Sequence, residues 1–180
     1  MKAAMTDCEI SRVVRTNAGM CALWQPESFE FEEFEDWEDW ATDDQNLVVS
    51  TVSGLFIPVN VGGDGVFQIA VRWGEGAGLT ASEQQHLLVS SEPYMLISRG
   101  WFVLGGLEDV GDADFTSGNQ VPLVPGRYAV TIHLIDWKAD PASVDEVGKP
   151  TESALPDFVI TLGIDSGGPY RTKVQTFERK

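Results

Sequence analysis

The residues best equipped for chemistry are concentrated between positions 27 and 44. Ten carboxylates (Glu27, Glu30, Glu32, Glu33, Glu35, Asp36, Glu38, Asp39, Asp43 and Asp44) surround five aromatic rings, those of Phe29, Phe31, Phe34, Trp37 and Trp40. No Lys or Arg lies between Thr16 and Val71. Carboxylates this dense can act in two ways. Two of them in unlike environments can serve as acid and base in hydrolysis, yet every acidic chain offers such pairs and spacing singles none out. Alternatively, the acids steer a cationic partner while the rings anchor it. On that reading the contact residues are Phe34, Asp36, Trp37, Glu38, Asp39, Trp40, Asp43 and Asp44. A purely structural account stands beside it, in which the rings cap a sheet edge and the acids simply face water.

Other candidates are weaker. Asp109, Asp112 and Asp114 share one acidic loop and are oxygen ligands of the type calcium takes, although their spacing is not that of an EF-hand. His86 and His133 fall on different strands without a closely spaced partner, so they do not form a metal pair; His133 reads as a satisfied sheet histidine. Trp73 and Trp101, if exposed, can stack on sugar rings, which gives a small-ligand or carbohydrate-binding alternative. A hydrolase using acidic residues and a divalent ion is a third. There is no Gly-x-Ser-x-Gly elbow and no Gly-x-x-x-x-Gly-Lys phosphate loop. The expectation is a non-enzymatic protein with no cofactor, no catalytic residue and no resident metal.

Charge narrows the partners. With 28 acidic and 12 basic residues the formal net charge is −16. Such a chain repels phosphate backbones and anionic lipid surfaces, so nucleic acid and membrane are disfavoured and a basic protein, such as a nuclease or toxin, is favoured. The same charge also keeps a protein dissolved. Cys8 and Cys21 are too few for a disulfide framework. Cys21 reads as a buried filler on a strand, and Cys8 as a free thiol. No apolar run is long enough to span a bilayer, and the N-terminus lacks a signal-peptide apolar segment. The expected location is the cytoplasm.

The elements that must position these residues are mostly strands. Phe31, Phe34, Trp37 and Trp40 recur every third residue, which suits a short helix or 3-10 turns over a sheet edge. Strands are expected at 20–24, 54–60, 66–73, 86–90, 94–98, 101–104, 128–135 and 157–164. The glycine-rich 61–65 segment reads as a hairpin turn joining its neighbours. Residues 80–85 read as polar, 107–119 as an acidic loop, and Pro125-Gly126 as a tight turn. The fold class is all-β, an antiparallel β-sandwich or open barrel with one short helix in the acidic-aromatic stretch. It forms one domain over 1–180, with 1–18 and 167–180 loosely packed.

Several of these segments together resemble a known family. Leu23-Trp24-Gln25 ends an early strand, Asp36-Trp37 is repeated as Asp39-Trp40, 55–59 is an apolar strand, and Pro125-Gly126-Arg127-Tyr128 leads into a strand ending near Trp137. This pattern resembles the small acidic nuclease-inhibitor protein of bacterial competence systems. Leu155 to Val159 is similar to a strand in related uncharacterised bacterial β-sandwich proteins. The resemblance covers roughly residues 20–160; it implies a β-sandwich and a nuclease partner, and brings no catalytic residue. The loops at 74–85 and 105–120 are longer here than in that family.

Overall fold

The structure, a computed structural model, describes residues 7–179. Its strands are β1 (Cys8–Thr16), β2 (Met20–Trp24), β3 (Phe56–Asn60), β4 (Gly65–Trp73), β5 (Leu87–Ser90), β6 (Tyr94–Gly106), β7 (Gln120–Ile135) and β8 (Phe158–Ile164). All join one open sheet in the order β1-β4-β8-β7-β6-β2-β3, with β5 paired to β7 off this path. The chain is sheet-rich, as expected, but the sheet is mixed: β4 and β8 run parallel, whereas the other pairs are antiparallel. The single expected helix is also corrected. The described residues hold α1 (Phe34–Ala41), α2 (Asp44–Val52), α3 (Ala81–Gln85) and α4 (Ala113–Asn119).

Connectivity forces the sheet to curl. β1 ends the strand order, yet residues 17–19 alone join it to β2, the next-to-last strand at the opposite end. Residues 61–64 likewise carry β3, at that opposite end, to β4. Links this short reach about 10–14 Å, so the two ends of the sheet must come over one another. One face then encloses a core to which all the long strands contribute, including Val14, Leu23, Ile57, Val71, Phe102, Val130 and Ile160. The expected 54–73 hairpin is therefore a crossover: β3 pairs with β2, and β4 with β1 and β8. Glycines at 62, 63 and 65 mark a sharp reversal but do not say which strands it pairs.

Within the described residues, 7–18 and 167–179 are better packed than expected; positions 1–6 and 180 lie outside them. β1 pairs with β4 along its whole length, from Cys8↔Trp73 to Thr16↔Gly65. Near the C-terminus, Thr176 bridges to Asn60 and the Phe177 ring lies 5.6 Å from Phe158 in the core. The segments 94–98 and 101–104 form a single strand, β6, with an irregularity between Ser98 and Gly100. Pro125, expected in a turn, sits opposite that irregularity within β7, where a missing N–H costs the ladder nothing. Pro58 lies on the edge strand β3, as such a residue should.

The polar 80–85 segment holds α3 (Ala81–Gln85), started by a reciprocal capping box between the N-cap Thr80 and Glu83. Glu83 is almost fully buried and takes a bidentate contact from Arg72: Nη1 to Oε2 at 2.6 Å and Nη2 to Oε1 at 2.7 Å. Arg72 Nε also donates to Glu9 on β1 at 3.0 Å. One guanidinium thus ties the edge strand, β4 and the 78–83 segment together.

Candidate protein-interaction surface

The outer face of β2, β3 and β6 carries a second apolar cluster that includes Trp24, Phe29, Phe56, Val103 and Leu107. Helix α1 lies over it and is the short helix expected from the three-residue aromatic spacing. The Trp40 ring sits 5.1 Å from Phe29, 5.6 Å from Phe31 and 5.5 Å from Phe56, the last edge-on. The Trp37 indole Nε1 donates to the Leu107 carbonyl at 3.0 Å. Both tryptophans are half-buried, and Trp40 is chiefly a cap over the cluster. Phe34 is different: it is 66% exposed and its ring rests 5.4 Å from that of Trp37.

All ten carboxylates between Glu27 and Asp44 are exposed, and none joins an ion pair among the described residues. Asp43 has a local duty, accepting the Gln45 N–H at 2.8 Å as the N-cap of α2. Of the eight contact residues read from the sequence, Phe34, Asp36, Glu38, Asp39, Asp43 and Asp44 lie at the surface, with Trp37 and Trp40 partly beneath them.

A second acidic segment completes this face. Gly111 has φ +82°, and a Cβ there would lie 2.2 Å from the Phe31 ring, so only glycine lets the 107–112 segment press against the aromatic stretch. Between Phe31–Trp37 and Glu108–Ala113 runs a cleft of about 310 Å³. A neighbouring groove of about 440 Å³ continues past Phe29 and Glu30 to Ser117 on α4. Sequence reasoning missed this convergence, because nothing local links positions about seventy residues apart.

The same placement weakens the calcium alternative. Asp109 accepts the Gly106 N–H at 3.0 Å, Asp112 caps α4 through the Phe115 N–H at 3.0 Å, and Glu108 binds the Thr16 hydroxyl at 3.0 Å and the Asn17 N–H at 2.7 Å. Burial pushes the Asp109 carboxyl above its ordinary pKa, with the Gly106 N–H opposing and the Glu108 and Asp112 charges adding to the rise. Among the described residues no three His, Cys, Asp or Glu side chains gather as a metal site.

The tryptophans of the carbohydrate alternative do not form a platform. Trp73 is a core residue, edge-on to Phe102 at 5.8 Å, because it falls on the inward face of β4. Trp101 is exposed and stands on β6, a different strand from Trp73. His133 behaves as a sheet histidine, with Nδ1 2.7 Å from Ser90 Oγ and Nε2 3.2 Å from Thr161 Oγ1. His86 lies elsewhere, 4.0 Å from Asp140. Cys21 is fully buried, and burial followed by nearby carboxylates pushes its thiol up to about 12; Cys8 is a free, exposed thiol. No helix among the described residues is long and apolar enough to cross a membrane.

No protein-family model matches the chain, and no curated protein matches it in sequence. Two solved structures are similar. One is described as crocagin biosynthetic gene J; it aligns with a TM-score of 0.56 at 12% identity over 89% of this chain and 99% of its own. The other is ComJ, inhibitor of the DNA degrading activity of NucA, from Bacillus subtilis, with a TM-score of 0.47 at 10% identity over 91% of this chain and 100% of its own. The resemblance drawn from the sequence therefore recurs among the similar structures, as a weak match. At such identities the likeness to the first is one of fold.

Proposed function

We propose that this protein is a non-enzymatic interaction protein whose acidic-aromatic face docks a basic protein, such as a nuclease or toxin, in the manner of an inhibitor or immunity partner. The observation that carries this reading is the set of ten exposed carboxylates with no cation of the described chain paired to them, arranged around rings that are only partly covered. An acidic surface raises the encounter rate with a cationic partner, and exposed rings at its centre supply apolar contact. Phe34 is the outermost of those rings, with Asp36, Glu38 and Asp39 around it on α1 and Asp43 and Asp44 at the start of α2. The inhibitory role stated for ComJ is the role this reading extends to the present chain, and its support comes from the surface itself.

The test is affinity capture from a bacterial lysate at low and high salt, run in parallel with an E30K/E38K/D39K variant. Lysines at 38 and 39 fall near the C-terminal end of α1, where positive charge suits the helix dipole, so the variant keeps its fold. A basic protein retained by the wild type at low salt, released by salt and lost in the variant supports the reading. Identical capture by both proteins removes it.

A further inference from the structure

We propose that the cleft between the Phe34–Trp37 ring pair and the 108–113 segment receives an arginine side chain of the basic partner, an assignment that rests on the interaction reading above. The cleft has two kinds of wall. Trp37 is fixed by its hydrogen bond to Leu107, and Phe34 leans on it at 32° with 5.4 Å between centroids, so both rings are preorganised beside the opening. Phe34 remains 66% exposed although a neighbouring apolar cluster is within reach of its helix, so its ring is available to a partner. The remaining walls carry Glu32 and Glu33 on one side and Asp112 on the other.

Each wall alone would be unselective: rings accept any apolar group, and carboxylates any cation. Together they match a guanidinium, which is planar, stacks on aromatic faces, is weakly hydrated and binds carboxylates through two N–H groups. A lysine ammonium is a strongly hydrated point charge and uses the rings less well. Asp112 is already oriented, because its Oδ1 holds the Phe115 N–H at the start of α4. Arginine binding therefore needs no rearrangement of that wall.

The experiment titrates the full chain with N-acetyl-Gly-Arg-Gly amide and with its lysine counterpart, following the indole N–H signals by NMR. The arginine peptide should shift the Trp37 indole signal. It should bind about three-fold more tightly than the lysine peptide, and lose at least about three-fold on F34A, in line with a cation–π contact at an exposed site. E33Q/D112N should abolish the shift; Asn still caps a helix, so α4 is retained. An unmoved Trp37 signal, equal binding of the two peptides, or equal binding by F34A would overturn the assignment. The two proposals fail separately. Loss of the partner on E30K/E38K/D39K, with no effect of F34A or E33Q/D112N, removes the arginine cleft but leaves the interaction reading. Partner binding that ignores the charge reversal removes the interaction reading.

Discussion

Gly111 stands so close to Phe31 that a Cβ at position 111 would lie 2.2 Å from the ring. This contact brings two acidic segments, distant in sequence, to one face. Its backbone also has φ +82°, a region side-chain-bearing residues rarely adopt. Gly111→Ala therefore meets both a clash and backbone strain, and should cost about 2 kcal/mol or more. It should also loosen the Trp37–Leu107 hydrogen bond. Chemical denaturation with the Trp37 indole signal as a second probe checks both; a fully stable G111A with an unchanged indole signal would show that the contact is not tight.

The ring spacing separates packing from binding. Trp40 touches Phe29, Phe31 and Phe56, so Trp40→Ala should destabilise by about 3 kcal/mol. Trp37→Phe removes one hydrogen bond to Leu107 and should cost about 1 kcal/mol. Phe34→Ala, at a largely exposed position, should stay within about 0.5 kcal/mol of the wild type. Urea unfolding of the three variants gives the order directly.

Arg72 and Glu83 should behave as one unit. Burial alone would raise the Glu83 carboxyl, but the Arg72 guanidinium and the Thr80 N–H and hydroxyl hold it below its ordinary pKa. Arg72→Met leaves that carboxylate buried without its cation and should cost about 3 kcal/mol or more. The double change R72M/E83L should cost less than the sum of the single changes, because it also removes the stranded charge. The depressed Glu83 pKa further means that its stabilisation is present above the unfolded carboxylate range and is lost as pH falls through the lower folded value.

His133 sets a pH dependence of its own. Burial holds its pKa below the ordinary histidine value, with the Glu83 charge opposing and Arg72 assisting. The unfolded chain then binds a proton that the folded chain refuses, so stability falls as pH drops below about 6.5 and levels off below the folded pKa. His133→Gln, which keeps polar atoms near Ser90 and Thr161, should remove this component. Denaturation midpoints of wild type and H133Q between about pH 7.5 and pH 5 should diverge toward acid; parallel curves would contradict the assignment.

Much of the sheet was legible because strand periodicity is local. The strand expected at 128–135 is present, with Tyr128, Val130, Ile132 and Leu134 in the core, and the apolar run at 54–60 supplies the edge strand β3. The acidic-aromatic helix was visible from its three-residue spacing. What failed was non-local or masked by polarity. β1 looked loose because much of its outer surface is polar, yet β4 supplies its ladder. Thr80-x-x-Glu83 carries the local signature of a helix start, but the polarity of 80–85 hides it among loop-like residues. The pairing of β3 and β4 with other strands follows from sheet curl, which no turn residue encodes. The joining of 27–44 to 107–114 rested on Gly111, one glycine in an acidic loop.

The central claim, docking of a basic protein on the acidic-aromatic face, is tested most directly with the captured partner in purified form. Its Kd for the wild type and for E30K/E38K/D39K would be measured by calorimetry across salt concentrations. The account predicts wild-type binding that weakens steadily with salt, and a loss of about ten-fold or more at low salt in the variant, whose salt dependence is also flatter. Equal affinities and parallel salt curves for the two proteins would contradict it.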